Sequence, residues 1–247
     1  MKKTVLTINQ FTYSAPTAGT SSKVLSYLIP LNSYIILRSD EMMKLRFTAK
    51  QVFNYTSAQT SADVTVTVSG SVAQVGTIFG TDSNPQLSAI GYWNTTSPSV
   101  STKVVQPTSI SGSEITFAVN DTTSTEASLT VFYLLANGSF SWVVSVPVAA
   151  GDVTAQIYGD SLQNVNVLNQ TSQESSLYFP EQIVLPQGFA LDLYVQSTPA
   201  VDMDPALSSS TPNSLAGIQI PILTGPMSEI LEQDPEVKKH VIEQLLG

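Results

Sequence analysis

The chain has 247 residues, of which ten are basic and nineteen acidic, for a formal net charge of −9. Only 12% of residues are charged, about half the share of an ordinary soluble domain, and Ser, Thr, Asn and Gln take their place. Cysteine is absent, which excludes disulfides and thiolate metal sites, and no apolar run reaches the roughly 18 residues of a membrane-crossing helix.

Residues 1–10 begin with two lysines and a short apolar run, which Thr7, Asn9 and Gln10 interrupt before a signal-peptide core develops. A first β-strand over residues 5–13 is expected there, with no export signal. Residues 1–50 hold seven of the ten bases and two acids, whereas residues 51–237 hold one base, Lys103, against 16 acids. Arg38, Lys44, Arg46 and Lys50 therefore form a candidate basic face on an acidic molecule, suited to anionic lipid or nucleic acid.

Period-two alternation, the mark of half-buried strands, recurs along the chain. Residues 24–29, 34–38, 44–54, 63–69, 75–79, 103–106, 115–119, 129–135, 140–146, 153–158, 164–168, 182–185, 190–196 and 218–223 are further strand candidates. Residues 129–135 are apolar on both faces and are expected between two layers. Asn137-Gly138 follows them and predicts a type I′ hairpin to the strand over 140–146. A proline-turn segment, Leu28-Ile29-Pro30-Leu31-Asn32-Ser33-Tyr34, is echoed by Val184-Leu185-Pro186-Gln187-Gly188-Phe189-Ala190. Tandem β modules joined near residues 147–152 would produce such an echo, as would convergent turn chemistry. No amphipathic helix separates the strands before residue 226, which excludes an α/β fold.

After Gly225-Pro226 the pattern changes. Asp234-Pro235-Glu236 supplies an N-cap, a first-turn proline and an early acid. Val237, Val241 and Leu245, widened by Ile242, make an apolar stripe, with Lys239, His240 and Glu243 facing away. This stripe needs a partner, either the chain's own domain or, as a candidate contact, another subunit or a membrane.

Catalytic constellations are absent from the sequence. His240 is the only histidine, so neither a triad nor a multi-histidine metal site can form. No phosphate-cradling glycine loop occurs. Asp152, Asp160 and Glu174 are scattered loop acids with no pairing that suggests glycoside hydrolysis. Asp202 and Asp204 could share a Ca²⁺ with loop carbonyls, although Asp204-Pro205 is also an ordinary turn opener. Glycosylation sequons stand at Asn54, Asn94, Asn120, Asn137 and Asn169. Trp93, beside Tyr92, could stack on a sugar, but a core position is the plainer expectation. No cofactor is expected.

The whole-chain texture resembles the jelly-roll capsid proteins of icosahedral, membrane-containing DNA viruses of bacteria and archaea. Its elements are many Ser/Thr-rich strands, no cysteine, few charges, a basic N-terminal region and a terminal amphipathic helix. The resemblance implies an all-β jelly-roll sandwich, as two tandem rolls or as one roll with an added β tower. The expected organisation is a first sandwich over 1–147, a second sandwich or completion of the first over 148–225, and a helical arm over 226–247. It further implies a non-enzymatic virion protein made in the host cytoplasm. Its partners would be copies of itself, as in the trimers of that family, and other virion proteins. The basic N-terminal region would face the inner membrane or the genome. A viral spike or adhesin-type binding module is the alternative.

Overall fold

The computed structural model describes residues 2–8, 13–14, 19–56, 62–74, 88–149, 152–159, 162–167, 170–179, 182–198, 202–203, 217–229 and 239. Nearly all of these lie in strands. In chain order they are β1 (Lys2–Ile8), β2 (Tyr13–Ser14), β3 (Ser21–Leu28), β4 (Ser33–Leu37), β5 (Met42–Phe47), β6 (Ala49–Tyr55) and β7 (Asp63–Thr67). There follow β8 (Ala89–Ser97), β9 (Ser101–Val105), β10 (Pro107–Ser111), β11 (Glu114–Ala118), β12 (Glu126–Tyr133) and β13 (Ser141–Ala149). The last are β14 (Asp152–Gly159), β15 (Leu162–Val167), β16 (Gln170–Tyr178), β17 (Ile183–Pro186), β18 (Ala190–Thr198), β19 (Asp202–Met203) and β20 (Gly217–Pro226).

The register shows how these strands form a roll. One edge of β20 pairs with β1 over its length; the other pairs with β5 at Gly217–Gln219 and with β4 at Ile222–Pro226. Strands β4 and β5 are thus one interrupted strand, with residues 38–41 looping out between them. Strands β16 and β17 lie along β5 and β4 in the same way. The first sheet reads β1, β20, β4/β5, β16/β17, with β15 added at its edge, and the second reads β3, β18, β13, β14. Counting the eight strands along the chain, these orders are 1-8-3-6 and 2-7-4-5. That is the strand order of a jelly roll, two sheets sharing Greek-key connections.

Seven further strands, β6 to β12, are inserted between the third and fourth strands of the roll. They form their own sandwich, with β6, β12, β8, β9 in one sheet and β10, β11, β7 in the other. The sheets close over Val64, Val66, Trp93, Ile115, Phe117, Leu129 and Val131, all buried. The expectation of two tandem rolls gives way to the alternative, one roll with a β tower. The physical reason is that strands from before and after residue 147 satisfy one another's edges in both sheets of the roll, while the tower's strand order differs from that of a roll.

Three local expectations change with it. The predicted strand over 44–54 is two strands: β5 belongs to the roll and β6 to the tower, separated by buried Thr48. The alternation continues across the break, since Leu45, Phe47 and Ala49 are all fully buried. At Asn137-Gly138 there is a turn but no hairpin. Strand β12 has β6 on one edge and β8 on the other, so β13 has no edge to pair with and joins the roll instead. Gly138 has φ +80° and Asn137 does not have positive φ, the pattern of a type II rather than a type I′ turn. Lastly, the two proline-turn segments do not mark tandem modules but pair with each other. Strand β4 pairs with β17 and β3 with β18, and between them Ile29 and Phe189 share a backbone hydrogen bond of 2.9 Å.

The roll has two unlike ends. At one lie the tight β3–β4 and β17–β18 turns, the start of β1 and the end of β20. At the other lie the tower and the connections β1–β3 and β18–β20. Those two connections contribute β2 and β19 to the edge of the tower sheet beside β6.

Candidate assembly surface

Alternation in β5 sends Met43, Leu45 and Phe47 into the core and leaves Lys44 and Arg46 on the outer face of the first sheet. Glu174 on β16 stands opposite Arg46. Its two carboxylate oxygens accept from Lys44 Nζ at 2.9 Å and from an Arg46 guanidinium nitrogen at 3.0 Å. Burial alone would raise the Glu174 carboxyl, but the two cations outweigh it and hold the group below its ordinary value. Arg38, in the loop between β4 and β5, pairs with Asp40. Lys50 lies beyond Thr48 on the tower, in register with Phe132 and with Asp202. The four candidate basic residues therefore stand in three different surroundings, and Arg38, Lys44 and Arg46 are bonded to carboxylates.

A small apolar cluster, separate from the main core, sits on the same outer face nearer the tight-turn end. Tyr34, Ile36 and Val184 are buried there, with Leu223 and Met227 packed against them. Met227 opens a helical turn over 227–229 and its backbone N–H donates to Asn32 O at 3.0 Å. Burial, with a smaller contribution from the Glu229 charge, raises the Tyr34 phenol. A Cβ at position 225 would lie 2.9 Å from Glu229 Oε2 and 3.0 Å from Tyr34 Oη, so glycine permits this close approach. The chain after β20 thus starts by folding over its own first sheet. Val237, Val241, Ile242 and Leu245 lie outside the described residues, as do His240, Asp204, Asn169 and the strand expected over 75–79.

The tower carries exposed apolar side chains. Val100 is 86% exposed, Val104 51% and Val52 47%. Val52, Thr130, Tyr92 and Val104 stand in one row across β6, β12, β8 and β9, and Tyr92 meets Phe132 edge-to-face at 5.9 Å. Trp93 points the other way, into the core, against Tyr55 at 5.3 Å. Its indole N–H donates to Asp121 at 2.8 Å. The Asp121 carboxyl is held well below the usual range, first by the Ser124 hydroxyl and then by Trp93. Asn54, Asn120 and Asn137 are exposed, whereas Asn94 is half-buried, with its side-chain oxygen accepting from Thr102. No group of three potential metal-ligating side chains occurs among the described residues.

Sequence reasoning took Glu174 for a loop acid and missed Gln173; both lie on β16. Strand β16 carries polar residues on both faces, with Gln173 and Ser175 fully buried, so it shows no apolar alternation. Exposed Val104 falls within the strand expected over 103–106, whereas exposed Val100 falls outside every expected strand.

No protein-family model matches the chain, and no curated protein matches it. Among solved structures, it is similar to VP17, a capsid protein of bacteriophage P23-77, at 15% identity and a TM-score of 0.46, over 91% of this chain and 96% of that one. It is also similar to the VP16–VP17 complex of the two major capsid proteins of the same phage, at 16% identity and a TM-score of 0.48, over 92% of this chain and 100% of that one.

Proposed function

We propose that the protein is a structural, non-enzymatic subunit of an icosahedral virus capsid. The observation that carries this reading is the strand order: one jelly roll, completed by strands β13 to β20, with a β tower inserted at one end. A roll supplies a wedge that packs side by side, and a tower at one end gives such a packing two different faces. The neutral-polar composition, with 12% charged residues, suits a surface that is mostly covered by neighbours. The P23-77 proteins are capsid proteins by name, which agrees with this reading without supplying its argument.

The partners follow from the same picture. Copies of this chain and other virion proteins would meet the flanks of the roll. The arm over 227–247, through Val237, Val241, Ile242 and Leu245, would join subunits. The tight-turn end, where β1 begins with Lys2 and Lys3 and where Leu28 and Leu31 are exposed, would face an anionic layer such as an inner membrane. A spike or adhesin role is favoured by one observation, the exposed Val52, Val100 and Val104 on the tower. Electron microscopy and native mass of the purified protein under assembling conditions test the proposal. Closed shells or a regular lattice support it, while a small soluble species that binds a glycan supports the spike reading.

A further inference from the structure

Sheet edges are pairing sites unless something blocks them, and proteins block them with charge, proline, bulges or short length. Among the described residues the tower has four outer strands. Strand β10 opens with Pro107 and has a register shift beside it. Strand β7 carries Asp63, and β2 has only two residues. Of these devices strand β9 has only a single charge, Lys103, and it is as long as β7 and β10. It pairs with β8 through five residues without a register shift and contains no proline and no acid. Ser101, Thr102, Lys103 and Val104 are all exposed. Its one charge, Lys103, is drawn aside: the ammonium donates to Val119 O at 3.0 Å.

We propose that β9 pairs antiparallel with β9 of a second copy, about a two-fold axis at Thr102. Three observations choose this occupant. In that register Val104 of each copy lies opposite Val100 of the other, so the 51% and 86% exposed valines cover each other. Lys103 falls opposite Ser101 rather than opposite its own copy, avoiding a like-charge cross-strand pair. The chain carries −9 overall, and two copies meet least repulsion where a strand has no acid. The contact is isologous, as a two-fold interface must be, and it joins the tower sheets of two subunits into one. Five residues a side bury far less than the roughly 1,200 Å² of a stable complex. Pairing is therefore weak in solution and gains strength when repeated. It does not depend on the capsid reading, because it is measured on isolated subunits.

The absence of cysteine makes a single-cysteine test clean. Opposed residues of an antiparallel pair stand about 4.5–5.5 Å apart at Cα, within disulfide reach. Thr102→Cys should give a disulfide dimer on mild oxidation, increasingly so as protein concentration rises. Val52→Cys, exposed on the same face but three strands away, should stay monomeric. Adding Val104→Lys to Thr102→Cys should suppress the dimer while leaving the melting temperature unchanged. Sedimentation of the unmodified protein should show reversible dimerisation that Val104→Lys abolishes. Equal cross-linking of Thr102→Cys and Val52→Cys, absence of cross-linking in both, or sedimentation insensitive to Val104→Lys would each overturn the proposal.

Discussion

Gln173 holds Leu135 by both of its backbone groups. The Gln173 side-chain oxygen accepts from Leu135 N–H and its amide donates to Leu135 C=O, each at 2.7 Å. Gln173 belongs to β16 of the roll, and Leu135 lies where the chain leaves the tower. Beside this clamp, Phe47 at the start of the insertion and Phe140 at its end stack at 4.7 Å. Both Gln173 and Leu135 are buried, so neither could exchange these bonds for water. The tower is therefore fastened to the roll by a polar clamp and an aromatic pair, inside a core that runs through both units.

Replacing Gln173 by Leu keeps the volume but orphans both backbone groups of Leu135. An unsatisfied buried group costs about 1–3 kcal/mol, so stability should fall by on the order of 3 kcal/mol. Equilibrium denaturation measures it, and a midpoint equal to that of the parent would show that the clamp is dispensable.

Glu174 sets an acid limit on the roll. Its folded pKa lies below its ordinary value of 4.5. The unfolded chain therefore binds the proton more readily, and the stabilisation is present above about 4.5 and lost as pH falls through the folded value. Glu174→Gln should be less stable than the parent at neutral pH, and the difference should shrink on acidification below 4.5. Thermal melts from pH 7 to pH 3 test the sign, and a difference that grows in acid would contradict it.

Gly91 lies where β8 crosses the tower core. A Cβ there would stand 2.7 Å from Val105 Cγ2, 2.9 Å from Phe117 Cε1 and 3.1 Å from Leu129 Cδ1. Gly91→Ala should overpack the tower and cost about 1–3 kcal/mol. An unchanged denaturation midpoint would mean that these three side chains can move apart without loss.

Gly138 tests backbone strain apart from crowding. Its φ is +80°, and a Cβ would meet nothing within 4 Å. Gly138→Val should still destabilise the protein by more than about 1 kcal/mol, because a β-branched residue resists positive φ. Equal melting temperatures would remove the turn from the account.

Deletion of residues 230–247 tests the arm and leaves Met227 and Glu229 against Tyr34. If the arm joins subunits, the shortened chain should melt normally yet fail to assemble, as read by particle size. Normal particles would dismiss the arm as a contact, and loss of folding would assign it to the subunit's own core.

By itself the sequence determined that the chain is all β, and for most strands which side chains face inward. Alternation of Val64 and Val66 with Asp63, Thr65 and Thr67 is a local property, and the pleat turns it directly into one buried and one exposed face. It also placed Trp93 in the core as the plainer of two readings. Tertiary structure alone decided which strands pair. Lys2 meets Thr224 and Arg46 meets Glu174, partners far apart in sequence that no local pattern links. The number of rolls, the handover from roll to tower at Thr48 and the pairing of the two proline turns all rest on such choices. So does the clamp on Leu135: a buried glutamine looks like surface in sequence, and only the backbone groups brought to it by the fold make its burial favourable.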